Sequence, residues 1–118
     1  MTNPESTTRV ILIRHGTTDW IEQRILHGRS DRPLSSFGLE EARLTGLAMK
    51  GTTATRMFVS PLKRAVQTAQ AVTDQTGLVP QPVEGLQEMN FGCLEGKTDL
   101  WYELCKNKIA VNFYYVYR

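Results

Sequence analysis

Twice before Gly77 this chain runs a short apolar segment into a sharp turn and then into a helical pattern. No other feature narrows its possible folds as much. Val10-Ile11-Leu12-Ile13 is an unbroken β-branched and aliphatic run ended by Arg14-His15-Gly16, and it predicts a central strand buried on both faces. Met57-Phe58-Val59, stopped by Ser60-Pro61, predicts a second. Between them Ser35 or Ser36 can cap a helix with Glu40 and Glu41 in its early turns, near its partly positive end. Its apolar stripe is Leu39, Ala42, Leu44, Leu47 and Ala48, before Gly51. A second helix is expected from about residue 62 to 76, with Ala65, Ala69 and Val72 spaced by four and three and Gly77 as its C-cap. This order predicts an α/β fold, three-layer α/β/α with a mostly parallel central sheet.

The remaining segments read less regularly. Residues 1–8 look like a flexible tail, and residues 16–34, rich in Gly, Asp, Ser and Pro, like an ordered loop. Pro80 and Pro82 mark a connection, with Val83 opening a short extended piece. Beyond Gly96, residues 100–106 suit a turn or two of helix and residues 109–117 a strand. The division is therefore a tail at 1–8, a domain part at 9–98 and a divergent segment at 99–118. At 118 residues the chain suffices for one domain and not for two.

Charge and cysteine usage exclude several classes of function. The net charge is +2, from 14 basic and 12 acidic residues, which gives no argument for nucleic acid or an anionic membrane. Arg9, Arg14, Arg24, Arg29 and Arg32 alternate with Asp19, Glu22 and Asp31 and lack an aromatic stacking platform, so no nucleic-acid partner is expected. No segment approaches the ~18 apolar residues of a spanning helix, and residues 1–8 are no signal peptide. Cys93 and Cys105 form no CxxC pair, and His15 and His27 are the only histidines, so no metal site is expected. Two free thiols in a reduced compartment fit best, and with them a cytoplasmic location.

Three segments carry possible chemistry. An imidazole at a strand end, as His15 would be, is held firmly and can attack phosphorus when neutral, which its ordinary pKa of about 6.5 allows. It can equally be a hydrogen-bonded structural residue. Ser60-Pro61-Leu62-Lys63-Arg64 repeats the strand-turn-helix arrangement, with Arg64 and Thr68 on one helical face. The Arg64 guanidinium offers a fork of donors suited to phosphate, or is a solvated helix residue. In Leu86 to Gly96, a carboxyl in a partly apolar loop beside a phosphate can have a raised pKa and act as general acid, whereas Glu95-Gly96 can be a plain turn.

Together these segments resemble the histidine phosphatase superfamily, also called phosphoglycerate mutase-like. Arg14-His15-Gly16 comes first, then Gly28-Arg29-Ser30-Asp31-Arg32-Pro33-Leu34-Ser35. Ser60-Pro61-Leu62-Lys63-Arg64-Ala65 with Thr68-Ala69 follows, then Leu86-Gln87-Glu88 with Phe91-Gly92 and Glu95-Gly96. The resemblance covers residues 9–98. It implies that His15 becomes phosphohistidine, that Arg14 and Arg64 bind the phosphoryl oxygens, and that Glu88 protonates the leaving alcohol and then activates water. Gly16 would allow close backbone approach, and Thr17 and Ser60 would touch the pocket rim. The substrate would be a small phosphorylated molecule, and no cofactor is implied.

The chain departs from the family pattern at three places. Ile21 stands where the family usually has asparagine, and His27 where it has glutamine, just before Gly28. These are substrate-pocket positions, and His27 either replaces the missing donor or lies on the surface. The family also carries a second catalytic histidine near its C-terminus, and no histidine follows His27 here. The expectation is a truncated domain with its sheet incomplete at the C-terminal end, impaired activity, and apolar surface left exposed for oligomerisation or aggregation through a sheet edge. Phosphomonoester hydrolysis is favoured over mutase-type phosphoryl transfer because Gly28-Arg29 lacks the mutases' Gly-Trp pair. A catalytically inactive phosphate-binding fragment is the rival from another class.

Overall fold

The computed structural model describes residues 7–98. In order these carry helix α1 (Asp19–Glu22), helix α2 (Ser36–Met49), strand β1 (Met57–Val59), helix α3 (Lys63–Thr76) and strand β2 (Pro80–Pro82). Two single 3₁₀ turns follow, at Glu84–Leu86 and Gly92–Leu94. The expected helix at 100–106, the strand at 109–117 and most of the expected tail lie outside the described residues.

The fold is α/β with parallel strand pairing, as the sequence pattern predicts: β1 and β2 pair in parallel with Met57 opposite Pro80. Both long helices start and stop where their end signals lie. Ser35 caps α2 by accepting the Gly38 N–H at 3.1 Å. Gly77 ends α3 at φ 72°, in the left-handed region open to glycine, and its N–H donates to the Thr73 carbonyl at 2.8 Å. The first turn of α3 is satisfied from a distance, because Asp31 Oδ1 accepts the Lys63 N–H at 2.7 Å.

Four local expectations need correction. Residues 10–13 form no ladder among the described residues, and Val10 and Leu12 are 72% and 91% exposed. An apolar run becomes a central strand only where partners cover both its edges and faces, and the described residues supply none. Pro80 and Pro82 belong to β2 rather than to a connection. Neither proline has an N–H to donate, and the outer position of β2 in this sheet tolerates that; Val83 N–H continues the pairing by donating to the Val59 carbonyl at 2.8 Å. The loop at 16–34 contains the single turn α1, capped by the Thr18 hydroxyl accepting from Ile21 N–H at 3.2 Å.

The fourth correction concerns how α2 packs. Its buried residues are Gly38, Ala42 and Gly46, while Leu39, Leu44 and Leu47 of the expected stripe are exposed. Small residues at four-residue spacing let backbones meet, and a Cβ on Gly46 would strike the Ala71 carbonyl of α3. From α3, Arg64, Thr68, Ala69 and Val72 point inward. Leu34, Val59 and Leu62 complete the buried apolar set with Ala42, Ala69 and Val72. This tight seam between helices carries the loop at 14–18.

Candidate active site

The segment Arg14–Thr18 is fastened to both long helices through its backbone. Gly16 N–H donates to Thr68 Oγ1 of α3 at 3.0 Å, and the Thr68 hydroxyl donates onward to the Arg64 carbonyl at 2.8 Å. Thr17 N–H donates to Glu41 Oε2 of α2 at 2.7 Å, and the Thr17 carbonyl accepts the Ser35 N–H at 2.9 Å. Gly16 and Gly38 meet so closely that a Cβ on either would overlap the other segment's backbone. At these two glycines the absence of a side chain is a packing requirement.

His15 has a defined protonation pattern as a result. Its Nδ1 lies 2.7 Å from the Gly16 carbonyl oxygen. A carbonyl only accepts, so Nδ1 carries the proton and the neutral ring keeps an unprotonated Nε2. Burial holds the His15 pKa below its usual value; the Gly16 hydrogen bond opposes this, the charges of Arg64 and Arg14 add to it, and Glu88 opposes it. The ring is therefore neutral at physiological pH and beside two cations. His15 borders a cavity of about 340 Å³ with Arg14, Gly16, Thr17, Ile21, Glu41 and Thr45.

Arg64 is 3% exposed and fixed before any ligand is considered. Its Nη1 donates to the Ser30 carbonyl at 3.0 Å and its Nη2 to the Gly28 carbonyl at 2.9 Å. Two of five guanidinium donors are used this way. Burial lowers its pKa, and the carboxylates of Glu88, Asp31 and Glu95 raise it in partial compensation. The 28–30 loop that holds Arg64 is itself held by Glu95, which accepts from Arg29 N–H at 2.7 Å and from the Ser30 hydroxyl at 2.6 Å. Gly28, at φ 53°, leaves the space that the Glu95 carboxylate and the Phe91 ring fill.

The other expected site residues divide. Glu88 is exposed, not set in apolar surroundings as expected, because its loop lies on the surface. Its carboxylate accepts from Met89 N–H at 2.8 Å, and its charge acts on both His15 and Arg64. Thr17 and Ile21 line the cavity. Gly28 instead serves Arg64, and Ser60 accepts from Leu62 N–H at 3.4 Å and does not line the cavity. His27 shares a 2.5 Å hydrogen bond with the buried Thr18 hydroxyl, also engages the Ile25 backbone, and leans on the Trp20 ring at 5.4 Å. It is thus half-buried structure beside the site rather than a surface residue.

Three contributors were not identified in the sequence as site residues: Thr68, Glu41 and Glu95. Thr68 carried a signal, being one helical turn from Arg64. Glu41 carried none and Glu95 only its place in the Glu95-Gly96 pair of the resemblance, since their partners lie 24 and 66 residues away.

Known proteins match this arrangement. The sequence model described as histidine phosphatase superfamily (branch 1) matches residues 10–109. A "Probable phosphoglycerate mutase GpmB" of Yersinia pestis (strain Pestoides F) is 36% identical over 89 residues, which are 75% of this chain and 41% of that protein. The chain thus spans about two fifths of the length of the curated relatives it matches. A phosphoserine phosphatase from Entamoeba histolytica, solved with 3-phosphoglyceric acid, superposes with a TM-score of 0.70 at 29% identity, over 80% of this chain and 47% of that one. A mycobacterial glucosyl-3-phosphoglycerate phosphatase complexed with VO3 superposes at 0.71 and 26% identity, over 80% and 44%.

Proposed function

This chain belongs to the histidine phosphatase superfamily, and from that premise we propose that its site moves the phosphoryl group of a small phosphomonoester to His15 and then to water. The observation that carries this is the committed Nδ1–H of His15, which leaves Nε2 as the nucleophile next to the charges of Arg14 and Arg64. Nε2 attacks phosphorus in line as the bond to the ester oxygen breaks. Glu88, acting as general acid, delivers a proton to that oxygen, so the alcohol leaves neutral. Arg14 and the remaining donors of Arg64 stabilise the charge on the transferring group. Glu88, now a carboxylate, takes a proton from water as the water attacks phosphohistidine, and the cycle closes.

A second reading, phosphoryl transfer to another position of a phosphorylated acceptor, is favoured by the mutase name of the curated relative. The phosphatase titles of the solved neighbours favour water. Incubation with a phosphomonoester separates the two by whether free phosphate or an isomeric ester accumulates.

The test is p-nitrophenyl phosphate hydrolysis by the purified chain, with acid-labile, base-stable phosphohistidine trapped in parallel. His15→Ala should abolish both signals. Hydrolysis that survives this substitution, or label on another residue, overturns the reading. Binding of inorganic phosphate without any phosphohistidine selects the inactive phosphate-binding alternative.

A further inference from the structure

One peptide unit links the hydrogen bond that sets the His15 tautomer to a carboxylate that the proposed reaction leaves unused. The Gly16–Thr17 peptide presents its carbonyl to His15 Nδ1 at 2.7 Å and its N–H to Glu41 Oε2 at 2.7 Å. A trans peptide is planar, with C=O and N–H pointing in opposite directions. Fixing the N–H by a carboxylate therefore fixes where the carbonyl points. A charged acceptor on the N–H also draws electron density through the amide toward the carbonyl oxygen, and hydrogen bonds in such a chain strengthen one another.

We propose that Glu41 is the positioning residue of the nucleophile: its carboxylate, acting through the Gly16–Thr17 peptide, orients and polarises the carbonyl that holds the Nδ1 proton of His15. This rests on the phosphohistidine reading for its purpose, though not for its geometry. The arrangement does the work of a carboxylate paired directly with histidine, with a peptide inserted between the two. Glu41 is well placed for it. The residue is in the second turn of α2, whose backbone is locked against the same loop through Gly38. Its carboxyl is held in the ionised form chiefly by hydrogen bonds from Thr17, with the charge of Arg14 adding to this. Glu41 also borders the cavity, but its Oε2 faces the peptide. Thr68 steadies the preceding Gly16 N–H from the other helix, so the loop is held from both sides.

The experiment needs no turnover. Two-bond ¹H–¹⁵N correlation spectra of the uniformly labelled 118-residue chain report which His15 nitrogen bears the proton. Wild type should show the Nδ1–H form alone, and Glu41→Ala should move the tautomer ratio about tenfold toward Nε2–H, the scale of one lost hydrogen bond. Glu41→Gln keeps an acceptor of the same shape without the charge. It should retain the Nδ1–H form while the Thr17 amide proton and the His15 Nδ1 proton move upfield together. The proposal is overturned if the Thr17 amide responds and His15 does not. Because Glu41→Gln preserves the contact, this outcome can be read even if the alanine variant fails to fold. Loss of phosphohistidine in wild type with an intact His15–Glu41 coupling would instead sink the functional reading alone.

Discussion

At the scale of single residues, the site depends on which groups are kept neutral. His27 shows this most plainly. Burial, then the charges of Arg64, His15 and Arg32, lower its pKa to about 4, against a weaker opposing hydrogen bond with Ile25. The unfolded chain, with an ordinary histidine near 6.5, therefore binds more protons than the folded one between pH 6.5 and 4. The stability contribution of neutral His27 is complete above pH 6.5 and is lost as the pH falls through that window. Urea midpoints at pH 7.5 and pH 5 should differ in wild type, and His27→Gln should narrow the difference. It should not remove it, because His15 is shifted in the same direction. An unchanged difference in the variant would show that His27 is not the group responsible. His15, Arg14 and Arg64 stood out in the sequence because their types suit a phosphate, and in the structure the charges of Arg64 and Arg14 do act on the His15 ring. Glu88 stood out in the sequence as a carboxyl, and its exposure did not. Thr68, Glu41 and Glu95 act through backbone groups that a sequence does not display.

Among elements, the pairing of α2 with α3 shows how a helical pattern was legible while its packed face was not. The ends of both helices follow from Ser35, Gly51 and Gly77. The stripe of leucines on α2 nevertheless faces outward, and the small residues Gly38, Ala42 and Gly46 form the seam. Two opposing effects meet at Gly46. Alanine there gains about 1 kcal/mol of helix propensity. Against this, its Cβ would sit on the Ala71 carbonyl, a backbone group that cannot rotate away, and such overpacking costs about 1–3 kcal/mol. Gly46→Ala is accordingly expected to lower the urea midpoint, and a raised midpoint would show that the helices separate easily. The run at 10–13 was misjudged for a related reason. Its composition states that it should be covered, but covering is a property of neighbouring elements.

Taken as a whole, the described residues have a small buried apolar set and a large exposed one. Among the described residues no side chain bigger than Val72 is fully buried, while Phe37 and Phe58 are 61% and 53% exposed along with Val10 and Leu12. None of the helices among the described residues is long and apolar enough to cross a membrane. We expect the chain to self-associate at rising concentration and to bind a hydrophobic dye in the absence of denaturant. Sedimentation at several concentrations checks this, and a monomer throughout, with no dye binding, would contradict it. The α/β class was legible from the order of runs and turns, whereas the balance of buried to exposed surface was not.

The brace between Arg29 and Glu95 sets a schedule for how such a site is made. Their contact joins points 66 residues apart, and closing a loop of that size takes up chain entropy before any contact rewards it. A nascent chain still short of Glu95 has His15 and the Arg64 guanidinium, yet lacks the clasp that holds the loop around that guanidinium. Competence toward an anion should thus wait for Glu95, and arrive as one event.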